Sequence, residues 1–510
     1  MSIEIKKAVL SSAAVAAALA VAQPALAGKA NDTLVYASDS EPESVSPYHN
    51  NVREGVILAR NAWDTLLWRD PGSGEYVPLL ATSWEWVDDK TLDVELRQGV
   101  TFHNGEPFDA DDVVFTFNYV VTPEAKVVTK QNVEWIESAE KLGPYKVRIH
   151  TKGPFPAALE YLSGPTPIYP NEYFEKVGLE GYSKAPVGTG PYKITRVDVG
   201  KGVSLEKFDG YFKDSPRGEA SIGKLEFRVI PDAETRVAEL MTGGVDWIWR
   251  VPADQADQLE QMPNVEVLNA ETMRVAYLAM DAAGRTAEDS PFKDIRVRRA
   301  VAHAIDRQAI VDNLVRGASR VMHAACFPSQ FGCDMEAVKK YEYDPAKAKE
   351  LLAEAGYKDG FKTDIYAYRE REYTEAMMGY LRDVGIDANL HFLKYAALRD
   401  LQRAGKVPLN SQTWGSFSVN DVSAFTGVYF KGGPDDYAMD AEVTELLEKG
   451  DVTTDPAKRK ELYREALQKI AEQAYWLPLF SYSTNYAFTS DLSFEAQPDE
   501  VVRFYMASWK

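Results

Sequence analysis

Six histidines, two cysteines and one tryptophan in a polar stretch are the residues from which chemistry would have to be built in this chain. The histidines are His49, His103, His150, His303, His323 and His391; none opens an H-E-x-x-H pattern, and none stands at metal-ligand spacing from another histidine or a cysteine. The sequence therefore predicts no metal site. A G-x-S-x-G nucleophile elbow and a phosphate-cradling G-x-x-x-x-G-K-[ST] loop are both absent. The nearest glycine-rich element, PVGTGPY at 186–192, has Lys193 where a dinucleotide fingerprint needs a third glycine, and it reads as a tight turn between lobes. Acid pairs such as Asp88 and Asp89, or Asp111 and Asp112, carry little information in a chain with 77 acidic residues. No catalytic residue is predicted, and a secreted glycosidase using two carboxylates is the one enzyme class left open.

Cys326 and Cys333 bracket the stretch CFPSQFGC, which lacks C-x-x-C spacing. In an oxidising compartment they read as a local disulfide closing a short loop, worth about 2–3 kcal/mol in the chain-entropy model. Residues 412–425, QTWGSFSVNDVSAF, set Trp414 before Gly415 and a run of small polar residues, with neither strand alternation nor helix period. An indole in that setting either fills a core or offers a ligand a flat wall for stacking or a cation–π contact.

The opening residues, MSIEIKKAVLSSAAVAAALAVAQPALA, carry Lys6 and Lys7, an apolar run from Ala8 to Ala22, and Ala25-Leu26-Ala27 ahead of Gly28. This reads as a secretory signal peptide cleaved after Ala27. No cysteine follows it to take a lipid anchor, and no later run approaches the roughly 20 apolar residues of a membrane span. The expected address is the periplasm. The formal net charge of −20 argues against nucleic acid and anionic membrane as partners.

Residues such as these must be positioned by ordered elements, and the length allows roughly two to four domains. Leu92, Val94 and Leu96, then Val147 and Ile149, then Leu225, Phe227 and Val229 alternate as half-buried strands do. Further on the punctuation turns helical. Asp344 and Pro345 suit a helix start and Gly356 its stop, with Ala348, Leu351, Leu352 and Ala355 on one face. Asp455-Pro456 repeats this grammar ahead of Leu462, Ala466 and Ile470. Val297, Val301 and Ile305 recur every four residues, leaving Arg296, Arg298 and Arg299 for a solvated face. Strands and helices are mixed throughout, which favours α/β lobes.

Several stretches together resemble one family, the bacterial extracellular solute-binding proteins of family 5, which serve peptide and nickel-type ABC importers. They are NAWDTLLWRD (61–70), LATSWEWVDDKTLDVELRQGVTFHNGEPFDADDVVFTFNYV (80–120), PVGTGPYKI (186–194), VRRAVAHAIDRQAIV (297–311) and YDPAKAKELLAEAGY (343–357). The resemblance implies a two-lobed α/β periplasmic-binding-protein-like fold, type II and cluster C-like, with an extra inserted domain. Lobe I is expected from 28–70, 186–274 and 479–510, the inserted domain from 71–185, and lobe II from 275–478. It further implies a monomer without cofactor or chemistry that holds a small molecule or peptide between its lobes and docks on a membrane permease.

The same resemblance places Trp414 on a cleft-lining loop of lobe II. Peptide receptors of the family carry an aspartate three residues later to pair with the ligand's ammonium; here that position is Phe417. An ammonium buried without such a partner costs several kcal/mol. Arg369 in YAYREREY falls at another pocket position and suits a carboxylate or phosphate. Tyr482 near the hinge and Tyr277 on an interlobe connection are further ligand candidates. Trp247 and Trp249 share one face of VDWIWRV and belong to core or cleft, while Tyr48 and His49 sit in a loop that approaches the cleft. The expected ligand is an opine-like amino-acid conjugate, another small polar acid or a short saccharide. The alternatives are a peptide receptor using Asp421, a secreted hydrolase and, more weakly, a nickel or haem receptor.

Overall fold

The computed structural model describes residues 28–50, 52–415 and 418–510. The expected signal peptide and its cleavage point lie outside the described residues, as does Phe417.

One ten-stranded sheet runs through the molecule. Its order is Ile386–Phe392, Phe361–Ala367, Leu409–Trp414, Val265–Met280, Trp476–Thr489, Trp247–Trp249, Thr33–Ser38, Lys224–Val229, Gly202–Lys207 and Tyr192–Asp198. Strand alternation splits the core into layers on either side of it. In one half, Leu34, Tyr36, Trp247 and Trp249 pack on one face while Val35, Ala37 and Ile248 pack on the other. In the other half, Ala276, Leu278 and Met280 face one cluster, and Val275, Tyr277 and Ala279 face the opposite one.

Two long antiparallel strands, Val265–Met280 and Trp476–Thr489, cross from one half to the other. Their ladder slips register between Glu271 and Val275 and again between Val275 and Tyr277. The boundaries expected at 274/275 and 478/479 fall inside these strands, so the two halves are joined by paired backbone.

A separate four-stranded antiparallel sheet, ordered Ala81–Asp88, Thr91–Leu96, Lys146–Thr151 and Ile136–Gly143, carries the helix Ala110–Val120. Asp109 and Asp112 form a capping box at the start of that helix. Its buried Val113, Phe117 and Val120 merge with the first half's core. The PVGTGPY turn explains its own glycines: a Cβ on Gly188 would come 2.1 Å from the Ala62 carbonyl, and one on Gly190 2.5 Å from the same peptide. His103 pins this turn, accepting from the Gly188 N–H at 3.2 Å and donating to the Gly190 carbonyl at 2.9 Å. Burial pulls its imidazole down to about 4, so it is neutral.

The helices start where their caps are. Asp344 accepts from the Lys347 N–H and Asp455 from the Lys458 N–H, both at 2.9 Å. The expected arginine face of Ile295–Ala304 needs correction at one position. Arg298 is buried and donates to the carbonyls of Gln473 at 2.8 Å and Phe292 at 2.7 Å. A guanidinium that satisfies helix-end carbonyls is more useful inside than in water.

Candidate functional site

The register slip aims one side chain across the molecule. Thr272, at the bulge, donates from its hydroxyl to the Tyr482 carbonyl at 3.1 Å and accepts from the Arg274 N–H at 3.3 Å. Bulges re-aim side chains in this way. Arg274 meets Glu500 through Nη2 at 2.9 Å and Nε at 3.2 Å, and also donates to Thr413 Oγ1 at 3.3 Å. Arg53, at the start of helix Arg53–Ala62, stands 3.7 Å from the same carboxylate. Burial alone would raise Glu500, but Arg274, Arg53, Arg250 and Arg369 together hold it at about 2.

The polypeptide after Trp414 closes over this cluster. The Ser418 hydroxyl accepts from Arg53 and donates to the Asp499 carbonyl at 3.2 Å. Two residues on, the Asn420 N–H donates to Glu160 Oε1 at 2.7 Å. Glu160 also accepts from the Tyr76 hydroxyl at 2.8 Å and lies 3.6 Å from Arg69. Burial pushes its carboxyl up, opposed by the Asn420 N–H and by Arg69. Val419, between them, is buried in the first half's core. The second half is thus latched onto the first through residues 418–424.

The Cys326–Cys333 disulfide is present and braces this latch. Within its loop, Gln330 donates to the carbonyls of Val419 at 3.0 Å and Asp421 at 3.3 Å, and the Phe331 N–H donates to Asn420 at 2.8 Å. Under the latch lies a cavity of about 800 Å³, counting its open mouth, lined among others by Arg60, Arg69, Glu160, Arg217, Asp499 and Arg503. Four non-glycine residues of this region hold left-handed backbone: Arg250 (φ 52), Glu370 (φ 39), Ser418 (φ 66) and Glu500 (φ 58). Such strain persists where surrounding contacts over-determine it, and it clusters at ligand sites.

The structure separates the sequence candidates. Arg369 and Tyr482 come together, the guanidinium 5.3 Å over the ring, while Glu370 pairs with Arg369 at 2.7 Å and accepts from the Tyr482 hydroxyl at 3.0 Å. Trp414 ends strand Leu409–Trp414, partly buried, with its indole N–H donating to the Ala424 carbonyl at 3.0 Å and its ring edge-on to Tyr429. Trp249 is buried yet carries Arg250 4.0 Å over its ring, and Arg250 in turn pairs with Asp39 at 3.2 Å. Trp247 packs wholly in the core against Tyr36, Phe494 and Phe504. Tyr277 is also fully buried, stacked 3.5 Å from Trp476, because its strand position faces the inner cluster.

Tyr48 and His49 tie their loop to the chain beyond it. The Tyr48 hydroxyl donates to the Pro167 carbonyl at 2.7 Å, and His49 Nε2 lies 2.7 Å from the Ala125 carbonyl. Tyr48 also borders a second, narrow space open to solvent, shared with Trp63 and Arg60. Asp421 is engaged: both oxygens take Arg459, at 2.7 and 2.9 Å, and Oδ1 takes the Ser423 hydroxyl at 2.6 Å. It has little capacity left for a ligand's ammonium.

Sequence reasoning missed Arg53, Arg274, Glu500 and Glu160. Glu160 alone left a trace, as the single acid in the apolar run PAALEYL. Among the described residues, no group of three His, Cys, Asp or Glu is placed to hold a metal, and no helix is long and apolar enough to cross a membrane.

Residues 75–437 match the family described as "Bacterial extracellular solute-binding proteins, family 5 Middle". Heme-binding protein A of Haemophilus influenzae is 28% identical over 500 residues, covering 90% of this chain and 88% of that protein. Glutathione-binding protein GsiB of Escherichia coli (strain K12) is 28% identical over 500 residues, covering 93% of each. Among solved structures, the periplasmic binding protein DppA from Helicobacter pylori in complex with peptide STSA superposes with a TM-score of 0.80 at 26% identity, covering 94% of this chain and 98% of that one.

Proposed function

This chain belongs to the bacterial extracellular solute-binding proteins of family 5, and from that membership we propose that it captures a small polar solute between its two halves and delivers it to the membrane permease of an ABC importer. The observation that carries the reading is the 418–424 latch, whose Ser418 and Asn420 bond residues of the first half above a cavity. A ligand that touches both halves only when the latch is closed shifts the hinge equilibrium toward the closed form. The relatives named above are binding proteins, which supports a task without bond making or breaking.

For the ligand we propose a small acid, such as an amino-acid conjugate. Engagement of Asp421 by Arg459 supports an anchor other than a peptide's free amino terminus. A peptide receptor is the second reading, supported by the likeness to the peptide-bound DppA structure; its ammonium would then need Asp39 or Glu54 near Arg250. The boundaries at 274/275 and 478/479, within the paired strands, are proposed as the hinge.

Mass spectrometry of compounds released from natively purified protein tests this. We expect one stoichiometric small solute that, returned to the stripped protein, contracts its radius in small-angle scattering. A solute that binds without contraction, or that the protein converts to product, would overturn the reading.

A further inference from the structure

Four guanidinium groups, those of Arg60, Arg69, Arg217 and Arg503, border the cavity beneath the latch. Three have carboxylate partners. Arg69 stands 3.6 Å from Glu160, Arg217 pairs with Asp64 at 2.9 Å, and Arg503 with Asp499 at 2.7 Å. Arg60 has no hydrogen-bond acceptor for its side chain and no carboxylate within 4.0 Å among the described residues. Its neighbours aggravate the imbalance. Burial first, then Arg503 and Arg217, pull its guanidinium down to about 10, against the opposing pull of Asp499. It remains charged at neutral pH.

Arg60 is half-buried, and a cation partly withdrawn from water without a partner carries a cost that an anion would relieve. A Cβ on Gly164 would come 3.0 Å from Arg60 Nη2. A side chain there would crowd the guanidinium and shift it by a few tenths of an ångström. Arg60 also borders the second, narrow space, beside Tyr48 and Trp63, so it stands where the two meet.

We propose that Arg60 anchors the ligand, and that the captured solute carries an oxyanion, carboxylate or phosphate, which pairs with this guanidinium in the closed cleft. This rests on the solute-capture reading and names the chemical group that the site selects. A planar fork of N–H donors matches a carboxylate or phosphate through two bonds, and a neutral solute that displaced the water around it would leave the charge unmatched.

The test uses stripped full-length protein, melted in potassium acetate, phosphate or sulfate against potassium chloride at equal ionic strength. The wild type is expected to melt several degrees higher in at least one oxyanion than in chloride, acetate and phosphate separating the two sources. Arg60→Gln should lose that difference, Arg60→Lys keep part of it, and Gly164→Val lose it with the charge intact. A wild type indifferent to all three anions, or an Arg60→Gln variant that keeps the difference, overturns the proposal. The compound released from the wild type separates this assignment from the reading beneath it. It should bind Arg60→Gln at least tenfold more weakly. Equal affinity, with contraction of both proteins, ends the role of Arg60 and leaves solute capture standing. No contraction of the wild type ends both.

Discussion

Arg274 and Glu500 meet at 2.9 Å, one from the slipped ladder of the crossing strands and the other from the C-terminal segment of the chain. Both are withdrawn from solvent, with side-chain exposures of 15% and 5%. Replacing Glu500 by Gln strands two cations, Arg274 and Arg53, in the same place. The expected cost is about 3–5 kcal/mol, read as a lower urea midpoint at pH 7.

The same carboxylate sets a pH dependence. Its folded value of about 2 lies below the ordinary 4.5. A depressed acid stabilises fully above its unfolded value, and that stabilisation is lost as pH falls through the folded one. Stability should therefore drop by about 3 kcal/mol from this group between roughly pH 4.5 and pH 2. Urea titrations across this window should show a shallower fall in Glu500→Gln than in the wild type.

Glu160→Gln tests the latch. Glutamine keeps an acceptor for one of the two donors, Asn420 N–H or the Tyr76 hydroxyl, but removes the charge facing Arg69. The ligand-free variant should open, with a larger scattering radius than the wild type and affinity for its solute reduced about tenfold. An unchanged radius would show that Glu160 does not hold the halves together.

Removing the disulfide should affect binding as well as stability, because Gln330 and Phe331 hold the latch from within its loop. The double variant Cys326→Ser, Cys333→Ser is expected to lose about 2–3 kcal/mol and to release its solute faster. Stopped-flow dissociation measures the second effect, and an unaltered rate would uncouple the loop from the latch.

Trp414→Ala should lower both solute affinity and stability, the latter by about 2 kcal/mol, since the indole bonds Ala424 and packs on Tyr429. Trp414→Phe keeps the packing and loses the hydrogen bond. A wild-type affinity in both variants would assign Trp414 to packing alone.

What could be read beforehand divides along physical lines. Periodicity reports burial, so Val297, Val301 and Ile305, or Leu92, Val94 and Leu96, were legible as core faces. Caps are local, so Asp344 and Asp455 were legible as helix starts. Arg298 was misjudged because its acceptors at Gln473 and Phe292 come from chain folding, which no helical period encodes. The Arg53, Arg274 and Glu500 cluster was illegible for the same reason: its members come from three distant segments and become partners only through the sheet. Trp247 and Trp249 show the limit of alternation, which grouped them on one face without telling core from cleft. Both indoles lie fully buried in the first half's core, Trp249 with the guanidinium of Arg250 over its ring.

The crossing strands carry a further consequence. Everything between Met280 and Trp476 leaves and returns at one spot, because Ala279 and Trp476 are partners in the ladder. The second half is topologically a single long loop on the first. Cutting it out would leave two chain ends about one strand spacing apart, roughly 5 Å, so a short graft could reseal either piece. A molecule built this way could exchange the segment that closes over the anchoring guanidinium as one continuous cassette while keeping the surface of the rest.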